Sequence, residues 1–212
     1  MNSDGLHPVA QPSWNPRVNS SKATQRLLDK DAELMLRVRE GDQACFTLLL
    51  ERHRNAVIHF LYRMVSNQAV AEELAQEVFL RVYRCRSNYQ ATAKFTTWLF
   101  RIATHLGLNS IRDGRYEKAQ ERLDREIDGV TRQVEDRRRT IEQELLFQAK
   151  LREVRWAIEN LPSKQRAAVV MHKYEELGYS EIAGVLMCSE SAVKSLLFRA
   201  YGSLRLRLAH MA

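Results

Sequence analysis

Apolar residues recur along most of this chain at intervals of three and four positions, the spacing that places them on one face of an α-helix. Four helices are predicted before Arg112, and strand-like alternation is absent from the pattern. The first ends near Gly41, and Asp42 is placed to cap the second. The third runs from about Ala69 to Arg84, and the fourth begins at Phe95. The apolar faces of the last three are, in order, Phe46, Leu49, Leu50, Val57, Phe60, Leu61 and Met64; Ala71, Leu74, Ala75, Val78, Phe79 and Val82; and Phe95, Trp98, Leu99, Ile102 and Leu106.

Composition divides the chain into four segments. Residues 1–24 contain three of the four prolines among polar residues, which predicts a flexible tail. Residues 25–113 form the first helical domain, and residues 114–140, dense in both signs of charge, form a linker. In residues 141–212 apolar spacing resumes at Ile141, Leu145, Leu146, Trp156 and Ile158. The sequence therefore predicts an all-α protein of two small helical domains joined by a charged linker.

The stretch 177–204 has the pattern of two short helices joined by a tight turn, a helix-turn-helix. Ala183 is small where crossing helices need close approach, and Ser189 is a good N-cap for the second helix. The turn position usually held by glycine is Met187, where a left-handed backbone costs about 1–2 kcal/mol, so we expect the turn to be built differently. A helical hairpin in an ordinary bundle is the alternative.

As a DNA reader, the second of these helices would enter the major groove, which is about 12 Å wide and admits one helix. The residues it would present to the groove are Ser191, Lys194, Ser195, Phe198 and Arg199.

A formal net charge of +7 and a pI near 9.5 favour a polyanionic partner, which could be DNA, RNA or an anionic membrane. No apolar run approaches the roughly 18 residues that span a bilayer, and the first residues lack a secretory pattern, so we expect a cytoplasmic protein without membrane insertion. The three cysteines are widely spaced and are expected to be buried. The histidines are scattered and show no metal-ligand spacing, so we expect no metal and no cofactor. The sequence contains neither a Gly-rich phosphate loop nor a nucleophile elbow, so no motif in it points to an enzyme.

Between Asn88 and Arg115, aromatic side chains are interleaved with cations, the combination that single-stranded DNA requires. Cations follow the phosphates, and aromatic rings accept unstacked bases at about 1–3 kcal/mol each. Trp98 lies at core spacing, so its packing inside the domain is the competing interpretation. The residues we favour for DNA contact are Tyr89, Lys94, His105 and Asn109, the last two near one helix face with Arg112.

A polar band occupies the third helix opposite its apolar face. Its members are Glu72, Glu73, Gln76, Glu77 and Arg81. Such a band is typical of a solvated face, and the functional alternative is a docking surface for a basic protein partner.

With these segments in this order, the chain resembles bacterial RNA polymerase sigma factors of the extracytoplasmic-function group, over about residues 28–208. AEELAQEVFLRVYR resembles the family's core-polymerase-binding helix, and FTTWLFRIATHLGLNSIR its −10 promoter segment. LPSKQRAAVV, YSEIAGVL and SAVKSLLFRA resemble its −35 reader.

The resemblance implies that the first domain binds the β′ subunit of core RNA polymerase through the polar band and captures melted −10 DNA, with the β subunit as a further partner of the chain. The residues implied for −10 contact are Tyr89, Lys94, Trp98, Arg101, His105, Asn109 and Arg112. The second domain would read the −35 duplex, and an anti-sigma factor is a further implied partner. Leu196 and Tyr201 stand where the family often has arginine, which implies weaker phosphate anchoring. A stand-alone helix-turn-helix regulator is the alternative function.

Overall fold

The computed structural model describes residues 29–114 and 141–211, and every regular element in these ranges is helical. The predicted tail and all but the first residue of the predicted linker lie outside them. The helices before the gap are α1 (Lys30–Arg39), α2 (Gln43–Val65), α3 (Gln68–Arg84) and α4 (Phe95–Arg112). Those after it are α5 (Ile141–Glu159), α6 (Ser163–Lys173), α7 (Tyr179–Leu186) and α8 (Glu190–Arg207). Two 3₁₀ turns, Arg86–Asn88 and Ala209–Met211, complete the described elements. The predicted all-α fold is confirmed.

The first unit consists of α1 to α4, with α2 packed against the other three helices. Local capping explains where the helices begin: Asp42 accepts a hydrogen bond from the Cys45 N–H, and Asn67 accepts one from the Val70 N–H. All six apolar residues predicted on α3 are buried. Phe60 and Phe100 meet edge to face with centroids 5.2 Å apart, which joins α2 to α4 in the core.

The second unit consists of α6, α7 and α8, which pack on one another, with α5 leading into it. Ile182, Val193 and Leu197 are buried together, as the helix-turn-helix pattern predicts. Ser189 caps α8, since its Oγ accepts a hydrogen bond from the Ala192 N–H at 3.2 Å.

The turn between α7 and α8 differs from our expectation. Met187 adopts the left-handed conformation itself, with φ 53° and ψ 48°, so the turn keeps the geometry that glycine usually provides. The Cys188 N–H donates to the Ala183 carbonyl, which closes the turn on the end of α7. The helix-turn-helix therefore forms with a strained methionine at its corner.

Two other expectations also require correction. Leu145, Leu146 and Trp156 on α5 are exposed although their helical spacing is that of a core-facing stripe, because α5 makes few contacts with the other helices of the described chain. Cys85 is exposed and Cys188 is half-buried, so only Cys45 is a buried small apolar residue. Among the described residues, no helix has the length and apolarity that crossing a bilayer requires.

The two units pack against each other: α7 lies on α4, and α6 lies on α2. At the second contact, Arg166 of α6 donates to the Met64 carbonyl near the end of α2. Arg63 stacks over the Tyr174 ring at 4.1 Å, and Arg155 of α5 approaches the Tyr62 hydroxyl at 3.5 Å. Polar and cation–π contacts thus contribute much of this docking.

Candidate nucleic-acid interface

Most residues predicted for −10 contact lie along one stripe of α4. Beginning at its N-cap, Lys94, they follow at intervals of three or four residues, the spacing of one helical face. They are Trp98, Arg101, His105, Asn109 and Arg112. In the C-terminal half of the stripe, His105 and Arg112 are exposed. The Asn109 Nδ2 lies 2.9 Å from the His105 Nε2, so these two side chains form one polar pair on the surface.

Tyr89 is a correction to the predicted set. It is 2% exposed, and its ring packs at 4.9 Å from Trp98 and 6.3 Å from Phe95. Burial, together with the negative charges of Asp29 and Asp31, raises the pKa of its hydroxyl to about 12. Tyr89 therefore packs in the core and presents no ring face to DNA in this conformation, and half-buried Trp98 packs against it.

Two cations of the stripe are engaged by the second unit. The Lys94 Nζ lies 2.9 Å from the Glu181 Oε1 on α7. Arg101 donates from its Nε and Nη2 to the Gly184 carbonyl, at 3.1 and 2.7 Å. Burial raises the pKa of Glu181, but hydrogen bonds from Lys94 and from the Gly178 N–H, with the Lys94 charge, outweigh it and lower the pKa overall. The N-terminal half of the stripe therefore contacts α7, while the Lys94 side chain stays largely exposed.

The predicted polar band on α3 faces away from the core. Glu72, Glu73 and Gln76 are exposed, and Glu77 and Arg81 are half-buried. The Arg81 Nε donates to the Glu77 Oε1 at 2.7 Å, so this arginine is partly neutralised within its own helix. The band is thus dominated by acidic and amide side chains.

The predicted −35 residues form an exposed face of α8. Ser191, Lys194 and Ser195 are exposed, and Phe198 is 80% exposed. Arg199 donates from its Nε to the Ser195 carbonyl, which holds its guanidinium along the helix. Leu196 and Tyr201, by contrast, pack against the core.

Sequence reasoning missed three residues near these surfaces. Leu80 is a half-exposed leucine on α3, seven positions after Glu73 and three after Glu77, so the same helical spacing could have identified it. The ring centroid of Tyr179, at the start of α7, lies 5.8 Å from the Lys194 Nζ. Asp29 accepts hydrogen bonds from the N–H groups of Ala32 and Phe95, a pairing across 66 residues that no local pattern predicts.

Among the described residues, no group of three or more histidine, cysteine, aspartate or glutamate side chains is placed to hold a metal ion. The features that remain are a cationic and polar stripe on α4, an acidic band on α3 and a mixed polar and aromatic face on α8. The first and third are suited to nucleic acid, and the second is suited to a protein partner.

Comparison with known proteins identifies the family of this chain. The family model for Sigma-70 region 2 matches residues 49–116, and that for Sigma-70, region 4 matches residues 151–204. The ECF RNA polymerase sigma-E factor of Haemophilus influenzae is 34% identical over 173 residues, covering 80% of this chain and 90% of that protein. The RNA polymerase sigma-H factor of Pseudomonas aeruginosa is 29% identical over 178 residues, covering 81% and 90%.

Solved structures share the fold. CnrH, solved in complex with the cytosolic domain of CnrY, has a TM-score of 0.62 at 22% identity and covers 86% of this chain and 99% of its own. The sigma factor RpoE of Bartonella quintana, solved with the anti-sigma factor NepR, has a TM-score of 0.57 at 20% identity and covers 77% and 96%. The two sigma-70 regions match in order, and the similarity to the sigma-E factor extends over most of both proteins. The chain belongs to the extracytoplasmic-function family of RNA polymerase sigma factors.

Proposed function

We propose that this sigma factor docks on core RNA polymerase through α3, holds bases of the melted −10 element on α4, and reads the −35 duplex with α8. The observation that carries the proposal is the placement of the three predicted sets on three different helices, with exposed residues in each. The polymerase then catalyses the reaction, and this chain is not itself an enzyme. Its place of action is the cytoplasm, where the polymerase and the chromosome are.

On α4, the pair formed by His105 and Asn109 offers ring and amide groups that can hydrogen-bond to the edge of an extruded base. Arg112 follows on the same face and supplies charge for the phosphates. Flipping a base out of the duplex costs a few kcal/mol, so contacts made only with the separated strand must offset that cost. Reading bases in the melted strand therefore couples recognition to melting.

On α8, exposed Phe198 is the most informative residue. A large apolar side chain that is 80% exposed gains little from folding, whereas the methyl group of a thymine in the major groove would cover it. Lys194 and Arg199 lie on the same part of the helix and can bind guanine edges or phosphates. Base contacts near Phe198 and charge contacts beside it would together give −35 specificity.

On α3, the acidic band with Leu80 at its edge fits a basic helical surface that carries an apolar contact point. We assign this surface to the β′ subunit of the polymerase, with β as a further contact of the bound chain. We also propose an anti-sigma factor as a regulatory partner, since the Bartonella quintana sigma factor was solved with NepR.

Transcription with purified core polymerase tests the proposal. The template is a promoter mapped from transcript starts after overexpression, and we expect initiation from that start only when this chain is present. A folded chain that supports no initiation there would refute the proposal.

Two substitutions on α8 separate promoter reading from polymerase docking. Lys194→Ala and Arg199→Ala should each lower promoter output about 5- to 100-fold, the effect of losing roughly 1–3 kcal/mol of base or phosphate contact. Pull-down of core polymerase should be unchanged. Arg152→Ala, which removes an exposed cation of α5 outside this face, is the matched control. Loss of core binding in the first two variants would show that this face is misassigned.

The stand-alone regulator makes a different prediction in a gel shift. It would bind the duplex tightly without polymerase, with a Kd of roughly 10⁻⁸ to 10⁻¹¹ M. We expect the free chain to bind the same promoter duplex much more weakly, and to join it stably only with core polymerase.

A further inference from the structure

Helix α5 carries apolar residues on two opposite sides, and its own unit uses only one of them. On the inner side, Ile158 is buried in the core. On the opposite side, Leu145, Ala149 and Trp156 follow at intervals of four and seven residues, the spacing at which helices pair. We call these three residues, with Leu146 at their edge, the outer stripe. Packing within one chain therefore accounts for only part of the apolar surface of α5.

The outer stripe stays open among the described residues. Leu145 and Leu146 are 64% and 65% exposed, and Trp156 is 58% exposed although the Arg207 guanidinium lies 5.8 Å from its ring centroid. A single exposed leucine is common on protein surfaces, whereas several large apolar side chains in one stripe indicate a contact surface. The promoter and polymerase contacts proposed above use α3, α4 and α8 and leave this stripe unassigned.

The charges along α5 indicate which kind of helix fits the outer stripe. In the first half of the helix the charged residues are acidic, Glu142 and Glu144. The charged residues of positions 150–156 carry a net positive charge, and they are Lys150, Arg152, Glu153 and Arg155. An antiparallel helix with the same order of charges would meet opposite charge along both halves of α5. A second copy of α5 has this order, so the helix is complementary to itself.

An antiparallel pair of α5 helices also has a suitable centre. Ala149 is exposed and has the smallest side chain of the outer stripe, so two helices can cross there with their axes about 8 Å apart. With Ala149 at the two-fold axis, Leu145 of each copy lies beside Trp156 of the other. Glu144 and Arg155 are five and six positions from this centre, so each glutamate lies opposite the arginine of the other copy.

We propose that the outer stripe is a homodimer interface, in which two copies of the chain pair through antiparallel α5 helices that cross at Ala149, with two ion pairs between Glu144 and Arg155. A two-fold contact of this kind closes on itself and gives a dimer, not a filament. A helix of 19 residues is about 28 Å long. The interface is therefore small, and we expect a dissociation constant of roughly 10–100 μM. The pairing concerns the free chain and does not depend on the promoter contacts.

Sedimentation velocity of the full chain, from about 1 to 200 μM without DNA or polymerase, tests the interface. We expect the average mass to rise from monomer to dimer over this range. Leu145→Glu places a charge within the stripe and should raise the dissociation constant about tenfold or more. The matched control is Leu206→Glu, at another exposed leucine on α8, which should dimerise as wild type does. Circular dichroism checks that each variant keeps its helices.

Charge reversal tests the antiparallel register. Glu144→Arg and Arg155→Glu each place like charges opposite one another and should raise the dissociation constant about 3- to 10-fold. The double variant restores opposite charges across the interface, so its dissociation constant should return to within about twofold of wild type. A parallel pair would bring Glu144 beside Glu144, and the double variant would then show no such rescue.

A symmetric cross-link locates the axis. Ala149→Cys, in a background of Cys85→Ser and Cys188→Ser, should form an intermolecular disulfide on mild oxidation, visible on a non-reducing gel. Gln143→Cys in the same background lies on the same helix away from the axis and should form little.

The possible failures differ in meaning. A chain that stays monomeric up to about 200 μM would overturn the dimer, and if Leu145→Glu also weakens binding of core polymerase, the stripe belongs to the polymerase instead. Loss of the dimer in Leu206→Glu but not in Leu145→Glu would move the interface to another helix. Charge variants without rescue, or a stronger cross-link at Gln143→Cys than at Ala149→Cys, would exclude the antiparallel pair.

Discussion

At the scale of single residues, Met187 is one of three non-glycine positions in the described chain with a left-handed backbone, together with Ser66 and Glu176. Its backbone is left-handed at φ 53°, while its side chain is 70% exposed and gains little from packing. We expect Met187→Gly to stabilise the protein by about 0.5–1 kcal/mol, because relief of about 1–2 kcal/mol exceeds the entropy cost of glycine. The Tm should rise by roughly 2–4 °C. Met187→Ala, which keeps a Cβ, should show no such gain; equal Tm values for the two variants would contradict the strain.

Glu175 gives a second prediction, on pH. Burial raises the pKa of its carboxyl to about 7, and the Arg63 charge opposes this only in part. A raised pKa favours the folded state while the group is protonated, so this contribution is complete below about pH 4.5 and is lost as pH rises through about 7. Glu175→Gln should therefore raise the Tm by a few degrees at pH 8 and have little effect at pH 4.5.

The control for this change is Glu176→Gln at the next position, which is exposed. Thermal unfolding of the three chains at several pH values makes the comparison. A stability difference between Glu175→Gln and wild type that stays constant from pH 4.5 to 8 would show that this carboxyl does not titrate with folding.

Single-residue features could be predicted from the sequence where they depend on neighbours in the chain. Asp42 and Ser189 cap their helices as expected, because a capping side chain bonds an amide only three residues ahead. Tyr89, which we predicted on the DNA surface, is instead buried, and this burial depends on packing against Trp98 and Phe95, which the local sequence does not show. An aromatic residue among cations has the same local sequence pattern whether its ring packs in the core or contacts DNA.

At the scale of elements, α4 depends on a cap from far away in sequence. Its N-cap, Lys94, makes no side-chain capping bond, and the Phe95 N–H donates instead to the Asp29 Oδ2 at 3.1 Å. The other oxygen, Oδ1, accepts from the Ala32 N–H in α1. One carboxylate thus joins the starts of two helices, and one of these carries the proposed −10 stripe.

A graded series at Asp29 tests this arrangement. Asp29→Ala should lose about 1–4 kcal/mol, because two caps of about 0.5–2 kcal/mol each disappear. Asp29→Asn should lose about half as much, since an amide keeps one acceptor oxygen. Urea unfolding gives the energies, and hydrogen exchange should quicken at Phe95 and Ala32 in the Ala variant. If only Ala32 responds, the bond to α4 is not a cap.

Element boundaries followed from the sequence because helical periodicity is a local property: α3 was predicted from Ala69 to Arg84 and spans Gln68–Arg84. The apolar residues of α5 show where this reasoning stops. Leu145 and Leu146 have core spacing yet are about two-thirds exposed, since periodicity indicates which face is apolar but not whether another element covers it.

At the scale of the whole molecule, the docking of the two units could not be predicted from the chain. Helical hydrophobic patterns locate a core, but this contact relies on cations that donate to backbone carbonyls, as Arg101 does to Gly184 and Arg166 to Met64. In the sequence, an arginine that donates to a carbonyl of the other unit cannot be distinguished from an arginine that only faces solvent. The surfaces assigned to −10 and −35 DNA were identified by their residues, whereas the contact of α7 with the N-terminal half of the α4 stripe could be seen only in the structure.

Arg166 provides the test of coupling between the units. Its guanidinium donates to the Met64 carbonyl in the first unit and to the Glu159 and Leu161 carbonyls in the second, so one side chain links both. Hydrogen bonds to a charged group contribute about 1.5–3 kcal/mol each, and Arg166→Ala should remove most of this linkage. We expect calorimetry to show one transition for wild type and two for the variant, because the units would then unfold independently.

Arg63→Ala removes the cation over the Tyr174 ring and leaves the hydrogen bonds of Arg166 inside the second unit unchanged. We expect it to broaden the thermal unfolding transition as well, because it also weakens the contact between the units. Arg84→Ala, at an exposed position in the last turn of α3, should leave it sharp. The ratio of van't Hoff to calorimetric enthalpy measures the coupling, and it should fall below one only in the first two variants. If both keep a single two-state transition with a lower Tm, these cations stabilise the chain without coupling its units, and the polar interface would not be what holds them together.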